Sequence, residues 1–161
     1  MSAVEQMDWP LSQVADAKIA DIVQLVEISK EVQRDACRIV HAHGAFDLLH
    51  LGHVRHLQAA KRMGDILIVT ITPDCFVNKG PGRPVFNESL RAEMLAAIDC
   101  VDYVAINDAP DAVETIRRLK PDIYVKGQDY QNPEGDITGK IAREREAVEA
   151  RGHFRASLRF E

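Results

Sequence analysis

The stretch HGAFDLLHLGH, residues 43–53, decides how this chain is read. It sets His43, His50 and His53, Asp47 and two glycines between two ordinary segments. RIVHA (38–42) before it is a short β-branched run, which predicts a strand over Arg38–Ala42. VRHLQAAKRM (54–63) after it continues a helical spacing of Leu51, Val54, Leu57 and Ala60, which predicts a helix over His50–Met63 with Gly64 as its C-cap. Two histidines thus stand one helical turn apart where a strand ends and a helix begins.

Outward from this turn the pattern repeats. ILIVTIT (66–72) is almost wholly apolar, as a parallel strand buried on both faces should be. Pro73-Asp74 opens a turn or short helix, and NKGPGRP (78–84) is a loop carrying Lys79 and Arg83. Helices are predicted over Glu88–Ile98, Asp111–Leu119 and Ile137–Arg151, and strands over Asp102–Ile106 and Asp122–Lys126. Upstream, the spacing of Leu11, Val14, Ile22, Leu25, Val26 and Val32 predicts a helix across 11–36, opened by Pro10 and Ser12. The alternation β-α-β-α-β-α-β-α implies an α/β domain, a parallel sheet with helices on both faces and right-handed crossovers. Ligands of such sheets bind at the carboxyl ends of the strands near the switch in strand order, which is where residues 43–53 lie.

Composition narrows the partners. A chain of 161 residues, 46% hydrophobic, suits one sizeable core. A net charge of −5 argues against a general nucleic-acid or membrane-surface binder, since both want a basic face. No apolar run is long enough to span a bilayer, and no basic-then-apolar leader follows Met1. Cys37, Cys75 and Cys100 lie far apart without CxxC spacing, as reduced thiols of a cytoplasmic protein would.

Three readings of His50 and His53 compete. A histidine at a helix start is often only a polar end group. A zinc site would need three or four convergent ligands; His56, His41 and His43 are nearby, but residue 56 turns well away from residue 50 on a helix. The third reading is anion chemistry. A helix start offers unpaired backbone N–H groups and the positive end of the dipole, which suit phosphate. Gly44 would let backbone approach a ligand, and Gly52 would leave room for phosphate between the rings. Two imidazoles there can donate to phosphate oxygens as charge builds on a transferring phosphoryl group. The coincidence of these features favours a phosphate clamp and no metal held by protein.

At these residues the chain resembles the nucleotidyltransferase superfamily with the HxGH signature, here His50-Leu51-Gly52-His53 within GAFDLLHLGH. The likeness runs over about residues 21–152, through AKRMGDILIVTITPD, NKGPGRPV and ESLRAEMLAAIDCVDYV. PDIYVKGQDY is most similar to the heptose-1-phosphate adenylyltransferase domain of ADP-heptose synthesis proteins. Glycerol-3-phosphate cytidylyltransferases are close, but usually have methionine where Lys126 stands.

The resemblance implies a three-layer Rossmann-like domain over 37–161, shortened at its C-terminus, behind an N-terminal helical extension over 1–36. It implies transfer of a nucleotidyl group from ATP, or alternatively CTP, to a sugar or polyol phosphate with release of pyrophosphate. By that likeness His50, His53 and Lys79 are catalytic, and Ala45, Phe46, Arg91, Lys126 and Asp129 bind nucleotide. Mg²⁺ would ride mainly on the substrate phosphates, and a homodimer is the expected assembly.

Two departures stand out. His43 and Ala45 occupy positions where the heptose enzymes usually have asparagine and cysteine or threonine. The chain also ends at ARGHFRASLRFE, with a strand expected around 153–158 but only Ser157 where the family has a hydroxyl-rich turn and a last helix. That predicts weak nucleotide binding and slow or absent turnover. The rival expectation from another class is a nucleotide-binding module that serves assembly or regulation.

Overall fold

The computed structural model describes residues 13–126, 140–150 and 153–155. Its centre is strand β1 (Ile39–Gly44), whose two-residue period sends Ile39 to one face of the sheet and Val40 and Ala42 to the other. β1 pairs in parallel with β2 (Ile66–Ile71), from Ile39 opposite Ile66 to Gly44 opposite Ile71. With β3 (Tyr103–Ile106), β4 (Ile123–Val125) and β5 (His153–Arg155) they form a parallel sheet of order β3-β2-β1-β4-β5. The chain builds outward from β1 to β3 and then returns to place β4 on the other side of β1. The switch therefore falls between β1 and β4, and the crevice past their C-terminal ends is where a ligand binds.

Helices cover both faces, as the alternation predicts. Against Val40, Ala42, Leu67, Val69 and Val104 pack α1 (Gln13–Lys18), α3 (Leu51–Lys61) and α4 (Glu88–Ala96), through Ala15, Leu57, Ala60, Ala92 and Leu95. Against Ile39, Ile68 and Ala105 pack α2 (Ile22–Arg34) and α5 (Val113–Leu119), through Ile22, Leu25 and Leu119. α6 (Lys140–Glu149) lies beside α5, with Val148 on Ile116 and Tyr124. Among the described residues no helix is long and apolar enough to cross a membrane.

Four expectations are corrected. The helix across 11–36 is two helices on opposite faces of the sheet. Ile19 bridges to Val104, the Ala20 N–H donates to the Val104 carbonyl at 2.9 Å, and Asp21 starts α2 through a reciprocal cap with Gln24. β1 runs on to Gly44, which brings His43 into the sheet. Leu51, expected on the inner face of α3, is 60% exposed.

Gly64 is not the C-cap, because Arg62 closes α3 in a right-handed conformation. Its role is a close approach: a Cβ there would sit 2.7 Å from Val40 Cγ2 and 2.9 Å from the Arg38 carbonyl oxygen. Gly64→Ala is expected to cost about 1–3 kcal/mol of stability in urea unfolding. An unchanged midpoint would show that the backbone yields there without cost.

His41 is the polar member of the core. It is wholly buried; its Nε2 shares a 2.8 Å hydrogen bond with the Thr70 hydroxyl, and its ring meets Tyr124 edge-on at 5.2 Å. Burial, reinforced by the charge of Lys126, pushes its pKa down to about 3. The folded protein thus keeps this ring neutral where an unfolded chain takes up a proton near pH 6.5. Stability is complete above that pH and falls toward pH 3, by at most ~1.4 kcal/mol per pH unit from this group. Unfolding of wild type and His41→Phe between about pH 7 and about pH 5 is expected to diverge in slope, the variant being flatter. Parallel curves would remove His41 from the acid response.

Candidate active site

Between β1 and α3 the chain makes a turn that is irregular yet fixed. Phe46 adopts the left-handed region at φ 49° and is buried. Its ring folds back over Gly44, where a Cβ would meet Phe46 Cε2 at 3.1 Å. The other side of the ring system meets His53 edge-on, with centroids 5.5 Å apart. Gly44 therefore serves the packing of Phe46, which the sequence did not reveal.

His50 is the N-cap of α3. Its Nδ1 accepts from the Gly52 N–H at 3.0 Å, and its own N–H donates to His53 Nδ1 at 3.3 Å. This is a capping box made of two histidines. Each ring spends Nδ1 as an acceptor, so in the neutral tautomer the proton is on Nε2 and that nitrogen is a donor. The rings lie 4.0 Å apart, and His50 is exposed. Gly52 does not leave room for phosphate. A Cβ there would be 2.8 Å from His50 Cε1, so its hydrogen side chain is what allows the His50 ring to close over the helix start.

Two further residues bolt this turn in place. Arg91 on α4 has a fully buried side chain and donates from Nη1 to the carbonyls of Ala45 (2.6 Å) and Thr72 (2.9 Å). Its Nε donates to the Phe86 carbonyl at 3.1 Å and its Nη2 to Asp74 at 2.6 Å. The guanidinium lies beneath the turn, committed to protein acceptors. Asp47 accepts from Arg83 Nη1 and the Val85 N–H, each at 2.6 Å. Burial opposes the charge of Asp47, but those two hydrogen bonds and the charges of Arg83 and Lys79 hold its carboxyl below the usual range.

Lys79 is exposed in the loop over 78–84, beside Gly80 and Gly82 at φ 96° and 71°, conformations that favour glycine. Lys126 follows β4 across the switch point and is buried; its Nζ lies 2.8 Å from Glu144 Oε2. Glu144 also accepts from the Tyr124 hydroxyl (3.1 Å) and the Ala112 N–H (3.0 Å). Sequence reasoning missed Glu144, one acid among several in KIAREREAVE. Asp129 and Ser157 lie outside the described residues. His43 shares hydrogen bonds with Thr70 (2.8 Å) and Thr72 (3.4 Å). With His41 also on Thr70, the five histidines from 41 to 56 do not converge; among the described residues no three His, Cys, Asp or Glu side chains form a metal-ligand group.

A parallel sheet whose order runs β3-β2-β1-β4, with helices on both faces, is a Rossmann-like nucleotidyltransferase fold. The chain belongs to the cytidylyltransferase-like family, whose pattern matches residues 41–159. It is 44% identical over 128 residues to the bifunctional protein HldE of Trichlorobacter lovleyi, covering 78% of this chain and 26% of that protein. It is 40% identical over 151 residues to HldE of Helicobacter pylori strain G27, covering 92% of this chain and 32% of that protein. The chain thus spans about a quarter to a third of the length of these relatives. A crystal structure of the lipopolysaccharide core biosynthesis protein from Thermoplasma volcanium GSS1 superposes with a TM-score of 0.62 at 27% identity, covering 78% of this chain and 98% of that one. A Francisella tularensis pantoate-beta-alanine ligase complexed with beta-gamma ATP shares the fold, with a TM-score of 0.58 at 17% identity over 89% of this chain and 67% of that one.

Removing Arg91 is expected to unfasten the turn. Arg91→Met leaves three carbonyls and Asp74 without their donor, at a cost of about 2–4 kcal/mol in denaturant unfolding. Arg91→Lys recovers only part of it, since one ammonium cannot span the four acceptors. Near-complete recovery by lysine would show that charge alone matters.

Proposed function

We propose that this chain transfers the adenylyl group of ATP to a sugar phosphate, heptose 1-phosphate being the favoured acceptor, and releases pyrophosphate. The observation that carries the reading is the reciprocal His50–His53 cap, which uses both Nδ1 atoms as acceptors and so makes Nε2 the donor nitrogen of each neutral ring at the start of α3. An acceptor phosphate oxygen attacks the α-phosphorus in line, the bond to the β-phosphate's bridging oxygen breaks, and pyrophosphate departs. No proton need be removed from an ionised phosphate, so the protein's part is position and electrostatics.

In this reading the two imidazoles donate to the phosphate oxygens as charge shifts toward the leaving group. The Ala45–Phe46 backbone, held by Arg91, lines the α-phosphate. Arg91 acts as a positioning residue. Lys79 reaches phosphate from its loop, and Lys126 borders the nucleotide side. Mg²⁺, when bound, supplies charge neutralisation on the polyphosphate. The nearby carboxylates of Asp47 and Asp74 are taken by Arg83 and Arg91, so phosphate oxygens would hold the ion in the main. The resemblance of PDIYVKGQDY to heptose-1-phosphate adenylyltransferase domains supports the heptose acceptor and a cytoplasmic setting.

The test is pyrophosphate release from ATP or CTP paired with heptose 1-phosphate or glycerol 3-phosphate. ATP with heptose 1-phosphate should turn over best, and His50→Ala and His53→Ala should each lower kcat by about 10²–10³-fold with the fold intact by circular dichroism. If His53→Ala kept the wild-type rate, the two-imidazole mechanism would fail. A chain that bound an ATP analogue yet released no pyrophosphate from any pairing would be the assembly module instead.

A further inference from the structure

The Asp47–Arg83 pair does more than close a loop. Asp47 is 2% exposed, stands three residues before the His50 cap, and is pinned by the Val85 N–H as well as by Arg83. A carboxylate at that point would repel any phosphate approaching the mouth of α3, so its charge needs a partner. Arg83 supplies it through a single contact, Nη1 on Oδ2, and among the described residues no other acceptor is recorded for that guanidinium. The side chain is 37% exposed. Its planar fork carries more donors than one carboxylate oxygen uses. Most exposed arginines wander among rotamers, whereas this one is aimed by a buried, doubly bonded carboxylate. It is carried on the same loop as exposed Lys79, whose charge also reaches Asp47. The loop thus carries two cations, and its arginine closes on the one acid of the turn that leads into the His50 cap.

We propose that Arg83 is an acceptor-binding residue, its spare donors gripping the phosphate monoester of the attacking sugar phosphate, with Asp47 as the residue that positions it. This deepens the reading above and rests on it. A merely neutralising Arg83 would become dispensable once Asp47 lost its charge, whereas a phosphate-binding Arg83 would not, so a double-mutant cycle separates the two roles.

The experiment titrates heptose 1-phosphate and inorganic phosphate, in the presence of a non-hydrolysable ATP analogue, into wild type, Arg83→Gln, Arg83→Lys, Asp47→Asn and the double variant Asp47→Asn with Arg83→Gln. Circular dichroism and melting verify the fold of each. The expected result is that Arg83→Gln weakens heptose 1-phosphate binding by about tenfold or more, with analogue affinity within about twofold of wild type. Lysine should restore part of the loss, and the double variant should recover nothing over Arg83→Gln. In kinetics the loss should fall on KM for the acceptor rather than on KM for ATP. Recovery in the double variant, or equal loss of analogue binding, overturns the proposal in favour of charge neutralisation or loop folding. If wild type binds inorganic phosphate through Arg83 but gives no pyrophosphate, the proposed reaction fails while the anion site stands. If Arg83→Gln binds both phosphates as wild type does, the site fails whatever the turnover.

Discussion

Everything at the functional edge depends on where Arg91 holds the carbonyl of Ala45. The turn from Gly44 to His50 has no ladder of its own, and it contains a left-handed phenylalanine that a free loop would not keep. Burying a guanidinium costs several kcal/mol unless each donor finds an acceptor. Here the Ala45, Thr72 and Phe86 carbonyls and Asp74 supply them. The ends of β1 and β2 and the start of α4 thereby become one body. A mechanism that works by placement needs such a body, because small displacements of donors erode the stabilisation of developing charge.

The charges behind the crevice are arranged to cancel. Arg91 is matched by Asp74, and Lys126 by Glu144, each through a contact below 3 Å. Outside those two pairs stand the mouth of α3 with its imidazoles and the loop that carries Lys79 and Arg83, the latter paired with Asp47. In the proposed reaction an acidic protein of net charge −5 holds a polyanion through that small local field. A cavity of about 480 Å³ elsewhere, lined by Val14, Lys18, Ile66, Asp102 and Tyr103, opens at the other end of the strands and has no comparable set of donors.

Much of this was legible in the sequence, and the limits are physical. The β/α alternation reads directly because β-branched runs and helical spacings differ in period, and the same change of period places HLGH at a strand-to-helix turn. The family likeness assigns Arg91 to nucleotide; that its side chain is buried on three carbonyls and Asp74 is not legible, because sequence displays charge but not burial. Glu144 sat unnoticed among solvated acids for the same reason. The break at Ile19 was hidden by apolar residues that continued the helical spacing, although Asp21 and Gln24 carried the sign of a new helix. The partners of Asp47 lie 36 and 38 residues away, beyond any local rule.

The two glycines show how short motifs encode contacts rather than empty space. Gly44 and Gly52 both read as room for a ligand, and both are occupied by the protein itself, by the ring of Phe46 and the ring of His50. The signature's middle glycine is thus a condition of the tautomer. Any side chain at residue 52 would push His50 off the helix mouth, its Nδ1 would lose the Gly52 N–H, and nothing would then assign the proton to the outward nitrogen. A donor fixed before the substrate arrives needs no reorganisation as charge develops, which is where such groups gain their advantage over water. On this argument His-x-Gly-His is one unit, in which the glycine orients the first ring and the backbone of the first histidine orients the second.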